Sequence, residues 1–182
     1  LYAKRAKKIS KGENKAKSER YIQYHDEFLN EFCSLKGAIL DVGCGPMMHN
    51  FKQLKNLLDI KDYYGIEPNE KLTIDNPNCL KAVGEYLPFS DSSFDTAISI
   101  SVLDHVIYPK KVLSEIHRTL KPGGKIYTSL PSRHLTWKTE LLKMLYPPFK
   151  KNTHTVEFNH QKLYRFLTQS GFRVTSTQQS KF

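Results

Sequence analysis

A chain of 182 residues, 39% hydrophobic and 25% charged, has the length and composition of one soluble globular domain. No apolar stretch approaches the roughly 18 residues of a membrane span, which predicts that the chain has no transmembrane segment. Its three cysteines, Cys33, Cys44 and Cys79, include no C-x-x-C pair. This argues against a disulfide framework and a zinc site, so we expect a cytoplasmic location and no bound metal.

The net charge of +10 is unevenly distributed along the chain. Residues 1–20 carry +6, residues 21–131 carry −3 and residues 132–182 carry +7. Two basic ends of this kind can bind RNA, an anionic membrane surface or a phosphorylated substrate, because each of these presents phosphate groups. Solvated lysines that only raise solubility are an alternative of equal weight.

Residues 1–18 are rich in lysine and poor in large apolar side chains, which predicts a flexible basic N-terminal segment. Ser18 is then an N-cap for an amphipathic helix whose apolar residues recur at helical spacing as far as Phe32, and Gly37 ends this helix. Residues 19–182 are predicted to form a single domain.

A short apolar run at 38–42 predicts a buried parallel strand, followed by a Gly-Cys-Gly turn at 43–45 and a helix at 47–58. A dinucleotide site would need the sequence G-x-G-x-x-G, and Met48 stands in the place of its third glycine. The dinucleotide-binding fingerprint is therefore incomplete. Asp41, at the strand end, would repel a pyrophosphate and favours a ligand with a cationic or donor-rich group. A tight connection without a ligand is the alternative.

A second short strand is predicted at 63–67, and it ends in Glu67 followed by Pro68. Glu67 comes 26 positions after Asp41, a separation that fits one strand–helix–strand unit with both carboxylates at the carboxyl ends of adjacent parallel strands. An acidic side chain at that place can accept hydrogen bonds from both hydroxyls of a ribose. A solvent-facing glutamate at a strand end is the alternative.

The remaining predicted elements are a weak third strand at 79–83, a fourth strand at 96–102, a helix from Pro109 to the Lys-Pro-Gly-Gly sequence at 121–124, a fifth strand at 125–130, a helix at 160–169 and a strand at 172–177 that opens an antiparallel hairpin. Alternating strands and helices are typical of an α/β fold with a doubly wound, mostly parallel sheet flanked by helices.

Four motifs follow one another along this pattern: ILDVGCGP, YGIEPN, LPFSDSSFDTAISISVLDHV and LSEIHRTLKPGGKIYTSLPS. In order and spacing they resemble the class I S-adenosylmethionine-dependent methyltransferases, in the subgroup of small-molecule enzymes of the ubiquinone and menaquinone methyltransferase kind. The resemblance implies a Rossmann-like fold, S-adenosylmethionine as cofactor and S-adenosylhomocysteine as product. It also implies an antiparallel C-terminal edge, whose last strand has no room before Phe182.

The resemblance also implies where the cofactor binds. Asp41 would bind its ammonium group and Glu67 its ribose hydroxyls. The implied cofactor residues are Asp41, Gly43, Cys44 and Gly45 after the first strand, Glu67 and Pro68 after the second, Glu85, Tyr86 and Leu87 beside the adenine, and Ser101 and Val102 beneath the sulfonium. Val83 departs from the pattern, because it replaces an aspartate that is often found two positions before Glu85.

Methyl transfer from a sulfonium is an in-line displacement, so the main task of the protein is to position the acceptor close to the methyl carbon. His105, just after the fourth strand, is the candidate base for an acceptor that must lose a proton, with helix capping or packing as the alternative. Residues 132–155 are predicted to form an acceptor-binding cap, with Tyr24, His134, Trp137 and His154 as candidate substrate residues.

Three functions follow from these features. The first is methyl transfer to a small or lipid- or sugar-linked acceptor. The second is RNA methylation through the basic ends. The region after the fourth strand argues against it, because it lacks the N/D-P-P-Y/F signature of the amino-group enzymes. The third is a non-catalytic methyltransferase-like binding module, which Val83 favours.

Overall fold

The computed structural model describes residues 35, 37–45, 62–69, 78–130 and 155–177. The strands among them are β1 (Ile39–Val42), β2 (Tyr63–Ile66), β3 (Cys79–Leu80), β4 (Phe94–Ile100) and β5 (Leu120–Ser129), and the helices are α1 (Pro109–Thr119) and α2 (His160–Gln169). The strands pair in parallel in the order β3-β2-β1-β4-β5. The chain therefore reverses its direction of winding between β1 and β4, and ligands of open α/β sheets bind at such switch points.

The two faces of the sheet carry separate apolar clusters, because successive side chains of a strand point to opposite faces. On one face Leu40, Val42 and Ala97 are buried with residues of α1 and α2. On the other face Ile39 and Ile98 are buried in a second cluster. A strand with buried residues on both faces is typical of a parallel sheet, and all four residues of β1 are buried.

Helix α1 begins with Pro109, a residue that suits the first helical position because it has no N–H to leave unpaired there. Its apolar stripe packs on the sheet through the buried residues Val112, Leu113 and Ile116. Helix α2 begins after Asn159, whose side-chain oxygen accepts a hydrogen bond from the Lys162 N–H at 2.8 Å.

Several predicted boundaries shift in the structure. Helix α1 ends at Thr119, and β5 starts at once, with Leu120 opposite Phe94 before the pairing shifts and resumes at Lys125. The predicted Lys-Pro-Gly-Gly terminator therefore lies in the irregular part of β5, where Pro122 has no N–H to donate to the ladder.

Two further predictions on strands are corrected. Strand β3 is only two residues long, and Val83 instead forms an isolated antiparallel bridge with Tyr86. Residues 172–177 form no strand, because no strand of the described residues lies beside them to pair with their backbone groups. The parallel, doubly wound sheet is confirmed, whereas an antiparallel edge is absent from the described residues. In this part of the chain, no helix is long and apolar enough to cross a bilayer.

Candidate active site

A tight turn follows β1 and folds over the end of β2. Gly43 and Gly45 have φ angles of +71° and +65°, which glycine adopts without strain. The N–H groups of Gly43 and Cys44 both donate to the Ile66 carbonyl, at 2.9 and 3.1 Å. A Cβ on Gly43 would lie 2.6 Å from Cγ2 of Val102, whereas no described atom lies within 4 Å of a Cβ built on Gly45. As far as the described residues show, the turn is therefore tightly packed at Gly43 and open at Gly45.

Glu67 follows β2 directly and its carboxylate reaches this turn. The residue is 2% exposed. Its Oε2 accepts a hydrogen bond from the Gly45 N–H at 3.2 Å, and its Oε1 accepts one from the Asn69 N–H at 3.0 Å. Burial raises the pKa of Glu67 above its ordinary value, and the two backbone hydrogen bonds counteract part of that rise. Pro68, the next residue, is exposed.

Asp41 lies within β1 and is 1% exposed. The Tyr63 hydroxyl donates a hydrogen bond to its Oδ2 at 2.6 Å. Burial, and then the negative charge of Asp41, raise the pKa of Tyr63 well above its ordinary value, so the phenol keeps its proton and acts as the donor. Tyr63 was not predicted as a site residue. The parallel register, in which Tyr63 stands opposite Ile39, puts it on the same face of the sheet as Asp41.

Two free cysteines lie beside this pair. The sulfur atoms of Cys44 and Cys79 are 3.3 Å apart, and both residues are buried. Burial, followed by the charge of Asp41, raises the pKa of the Cys44 thiol far above its ordinary value. A thiol that does not ionise is a poor nucleophile, so Cys44 fills space within the turn.

The end of β4 adds a second edge to the site. Ser101 has a φ of +53°, an unusual value for a residue other than glycine, and its N–H donates to the Ser129 carbonyl at 2.8 Å. The next residue, Val102, is buried and contacts the turn at Gly43. The strained backbone at Ser101 thus ends β4 beside the turn that follows β1, which is typical of functional sites.

His105 follows this edge with a largely buried side chain. Its ring Nε2 lies 3.7 Å from Oδ2 of the buried Asp104. The backbone N–H of His105 donates to the Val102 carbonyl at 2.8 Å. The chain segment before α2 is tied to the same place, because the N–H groups of Thr155 and Val156 donate to the Asp104 carbonyl at 2.7 and 3.2 Å. The Thr155 hydroxyl also donates to the His105 carbonyl at 3.1 Å. Asp104 was not predicted as part of the site.

The predicted adenine segment has two different surroundings. Tyr86 is 72% exposed, and Glu85 accepts a weak hydrogen bond from the Tyr108 N–H at 3.4 Å. Leu87 instead packs in the core, and its N–H donates to Oε2 of Glu115 at 3.0 Å. The segment therefore leaves the surface at Leu87.

An arginine on α1 holds the loop that follows. Arg118 donates to the carbonyls of Leu87 and Phe89, at 3.1 and 2.8 Å, and pairs with Glu115 and with the exposed Asp91. The hydrogen bond from Arg118 is the largest of the effects that hold the pKa of Glu115 below its ordinary range. The loop between β3 and β4 is thus anchored to the helix that covers the sheet.

The structure brings together the residues predicted from the first two strand ends, namely Asp41, Gly43, Cys44, Gly45 and Glu67, with Val102 in contact with the same turn. The candidate substrate residues Tyr24, His134, Trp137 and His154 lie outside the described residues, as do residues 1–18 and the predicted cap except Thr155. Among the described residues, no cluster of His, Cys, Asp and Glu side chains could hold a metal ion.

Comparison with known proteins identifies the family of this chain. A family model described as a methyltransferase domain matches residues 14–177. The chain belongs to this methyltransferase family. A probable S-adenosylmethionine-dependent methyltransferase of Mycolicibacterium smegmatis is 33% identical over 91 residues, which cover 50% of this chain and 33% of the relative. A ubiquinone biosynthesis O-methyltransferase of Nitrosococcus oceani is 31% identical over 120 residues, which cover 59% of this chain and 49% of the relative.

Among solved structures, one from Thermotoga maritima is described as an S-adenosylmethionine-dependent methyltransferase and possible histamine N-methyltransferase. It superposes with a TM-score of 0.63 at 24% identity, and the match covers 87% of this chain and 77% of that chain. The matched part of this chain spans between one third and one half of the length of these two curated relatives. The predicted family and the predicted Rossmann-like fold are confirmed.

Proposed function

We propose that this methyltransferase domain binds S-adenosylmethionine at the turn of residues 43–45 and transfers its methyl group to a small or lipid- or sugar-linked acceptor. The observation that carries this proposal is the pair of buried carboxylates at adjacent strand ends. Asp41 is 1% exposed and Glu67 is 2% exposed, and the turn between them is open at Gly45.

The chemistry of these groups fits the cofactor. S-adenosylmethionine has an ammonium group, a positively charged sulfonium and two ribose hydroxyls, and each of these is attracted to a carboxylate or donates to one. Asp41 would interact with the ammonium group and Glu67 with the ribose hydroxyls. The open space at Gly45 lets the ligand approach the backbone closely. Glu85 and the exposed Tyr86 are the proposed adenine contacts.

Once bound, the cofactor supplies an electrophilic methyl carbon on its sulfonium. The contribution of the chain is to exclude water and to hold the acceptor in line with that carbon. We assign Ser101 and Val102, at the end of β4, to the surface beneath the sulfonium. His105 is the proposed base, because it follows the end of β4 and its largely buried imidazole lies beside the Asp104 carboxylate, with Nε2 3.7 Å from Oδ2.

Two features favour a small or lipid- or sugar-linked acceptor over RNA. The residues after β4 read Ser-Val-Leu-Asp, without the N/D-P-P-Y/F sequence of the amino-group enzymes. The described part of the site is acidic, since Asp41, Glu67 and Asp104 are all buried at or shortly after the ends of the strands. The free, unbridged thiols of Cys44 and Cys79 support a reducing cytoplasmic location.

Calorimetric titration tests the proposal directly. The full chain should bind S-adenosylmethionine and S-adenosylhomocysteine. Asp41→Asn or Glu67→Gln should reduce the free energy of binding of each ligand by about 1–3 kcal/mol, the cost of losing one charged hydrogen-bond partner. Glu157→Gln is the control, because Glu157 precedes α2 and is not among the residues that we assign to the cofactor. Unchanged affinity in both site variants would refute the assignment, and salt-sensitive RNA binding by the same chain would favour the RNA alternative.

A further inference from the structure

A buried polar cluster lies beneath the turn that we assign to the cofactor. It consists of Asp41, Cys44, Tyr63 and Cys79, and each of these residues is less than a tenth exposed. Short contacts join its members in two pairs, from the Tyr63 hydroxyl to Asp41 at 2.6 Å and between the two sulfur atoms at 3.3 Å. The cluster lies on the face of the sheet that also carries the buried Ile39 and Ile98.

We propose that Tyr63 is a positioning residue that holds the Asp41 carboxylate in the orientation needed to bind the amino-acid end of the cofactor. The inference rests on the proposed function. Tyr63 does not itself touch the ligand in this proposal, because it lies at the start of β2 whereas the turn lies at the carboxyl ends of the strands. It acts through the hydrogen bond to Asp41 Oδ2.

The geometry gives this bond a directing role. A carboxylate in apolar surroundings is costly unless hydrogen bonds satisfy it, so the oxygen that accepts from Tyr63 is held firmly in place. The Tyr63 ring is itself fixed, since it is 1% exposed and packs in the apolar cluster of its own face. A fixed donor on one oxygen sets the plane of the carboxylate relative to the turn at Gly43.

The neighbouring tyrosine provides a matched control. Tyr64 lies in the same strand but faces the opposite side of the sheet, where its ring packs edge-on against Phe94 and Phe89 at centroid distances of 6.0 and 6.2 Å. Tyr63→Phe and Tyr64→Phe each remove one hydroxyl from β2. Only the first removes the hydrogen bond to Asp41.

The experiment compares two ligands that differ at one end. S-adenosylhomocysteine carries the ammonium group, whereas 5′-methylthioadenosine has the same adenine and ribose but no amino-acid part. We expect Tyr63→Phe to weaken the binding of S-adenosylhomocysteine roughly tenfold, the effect of losing one hydrogen bond to a charged group. The affinity for 5′-methylthioadenosine should stay unchanged. Tyr64→Phe should bind both ligands as the wild type does. Thermal melting of each variant shows that it is folded at the assay temperature.

A double-mutant cycle with Asp41→Asn gives a second measurement. If Tyr63 acts through Asp41, Tyr63→Phe should cause little further loss in a chain that already carries Asp41→Asn. Equal weakening of both ligands by Tyr63→Phe, an unchanged S-adenosylhomocysteine affinity, or additive losses in the cycle would each overturn the proposal. A wild-type chain that binds neither ligand would instead refute the proposed function, and the role of Tyr63 with it.

Discussion

Two glycines of one turn should respond differently to the same substitution. Both Gly43 and Gly45 have left-handed backbone conformations, so a side chain at either position costs about 1–2 kcal/mol. At Gly43 the new Cβ would also lie 2.6 Å from Cγ2 of Val102, far inside the contact distance of about 3.5–4.0 Å between carbon atoms. Such overpacking costs about 1–3 kcal/mol more.

Gly43→Ala should therefore lower the free energy of unfolding by about 2–5 kcal/mol in total, and Gly45→Ala by only about 1–2 kcal/mol. Urea denaturation measures both, and similar slopes in the two variants show that the midpoints report stability. Val102→Ala tests the steric cause, because it removes the two methyl carbons that the new Cβ would meet and should recover part of the loss in Gly43→Ala. Equal losses at the two glycines, or no recovery, would refute this reasoning.

Two further outcomes are expected. Arg118→Ala should lower the free energy of unfolding by about 1–3 kcal/mol in urea denaturation, because the loop carbonyls of Leu87 and Phe89 lose their donor, and Arg118→Lys should recover only part. Because the pKa of Glu115 is lowered in the folded chain, the stability from its pair with Arg118 is lost as the pH falls through that pKa, and this acid-side loss should be smaller in Arg118→Ala. His105→Asn should reduce tritiated methyl transfer into extracts of the source organism by about a hundredfold without changing the affinity for S-adenosylhomocysteine. Transfer at the wild-type rate would make His105 a packing residue.

The turn after β1 and the carboxylate after β2 could be predicted because both depend on local sequence. A short apolar run followed by Gly-Cys-Gly predicts a strand and a turn, and the separation of Glu67 from Asp41 predicts one crossover between parallel strands. The carboxyl ends of adjacent parallel strands lie together, so two residues far apart in sequence could be assigned to one edge of the sheet.

Contacts that depend on strand register or on packing were not predicted. The hydrogen bond from Tyr63 to Asp41 needs the register in which Tyr63 stands opposite Ile39, and the predicted adjacency of β1 and β2 does not specify that register. The motif assigns Leu87 to the adenine, and it does not specify that the side chain packs in the core, as the structure shows. The strand predicted at 172–177 had suitable residues, but a strand also needs a neighbour, and β propensity contains no information about one.

The hydrogen bonds also explain how two acidic groups remain buried so close to one turn. Each has donors from the fold itself, since Asp41 accepts from the Tyr63 hydroxyl, and Glu67 accepts from the N–H groups of Gly45 and Asn69. These bonds offset part of the desolvation cost that each carboxylate pays. Because the Gly45 N–H is the donor to Glu67, the conformation of the turn is coupled to the carboxylate assigned to the ribose. One hydrogen bond therefore joins the carboxylate proposed for the ribose to the turn that follows Asp41, and this fixed geometry would lower the cost of ordering the proposed site when a ligand binds.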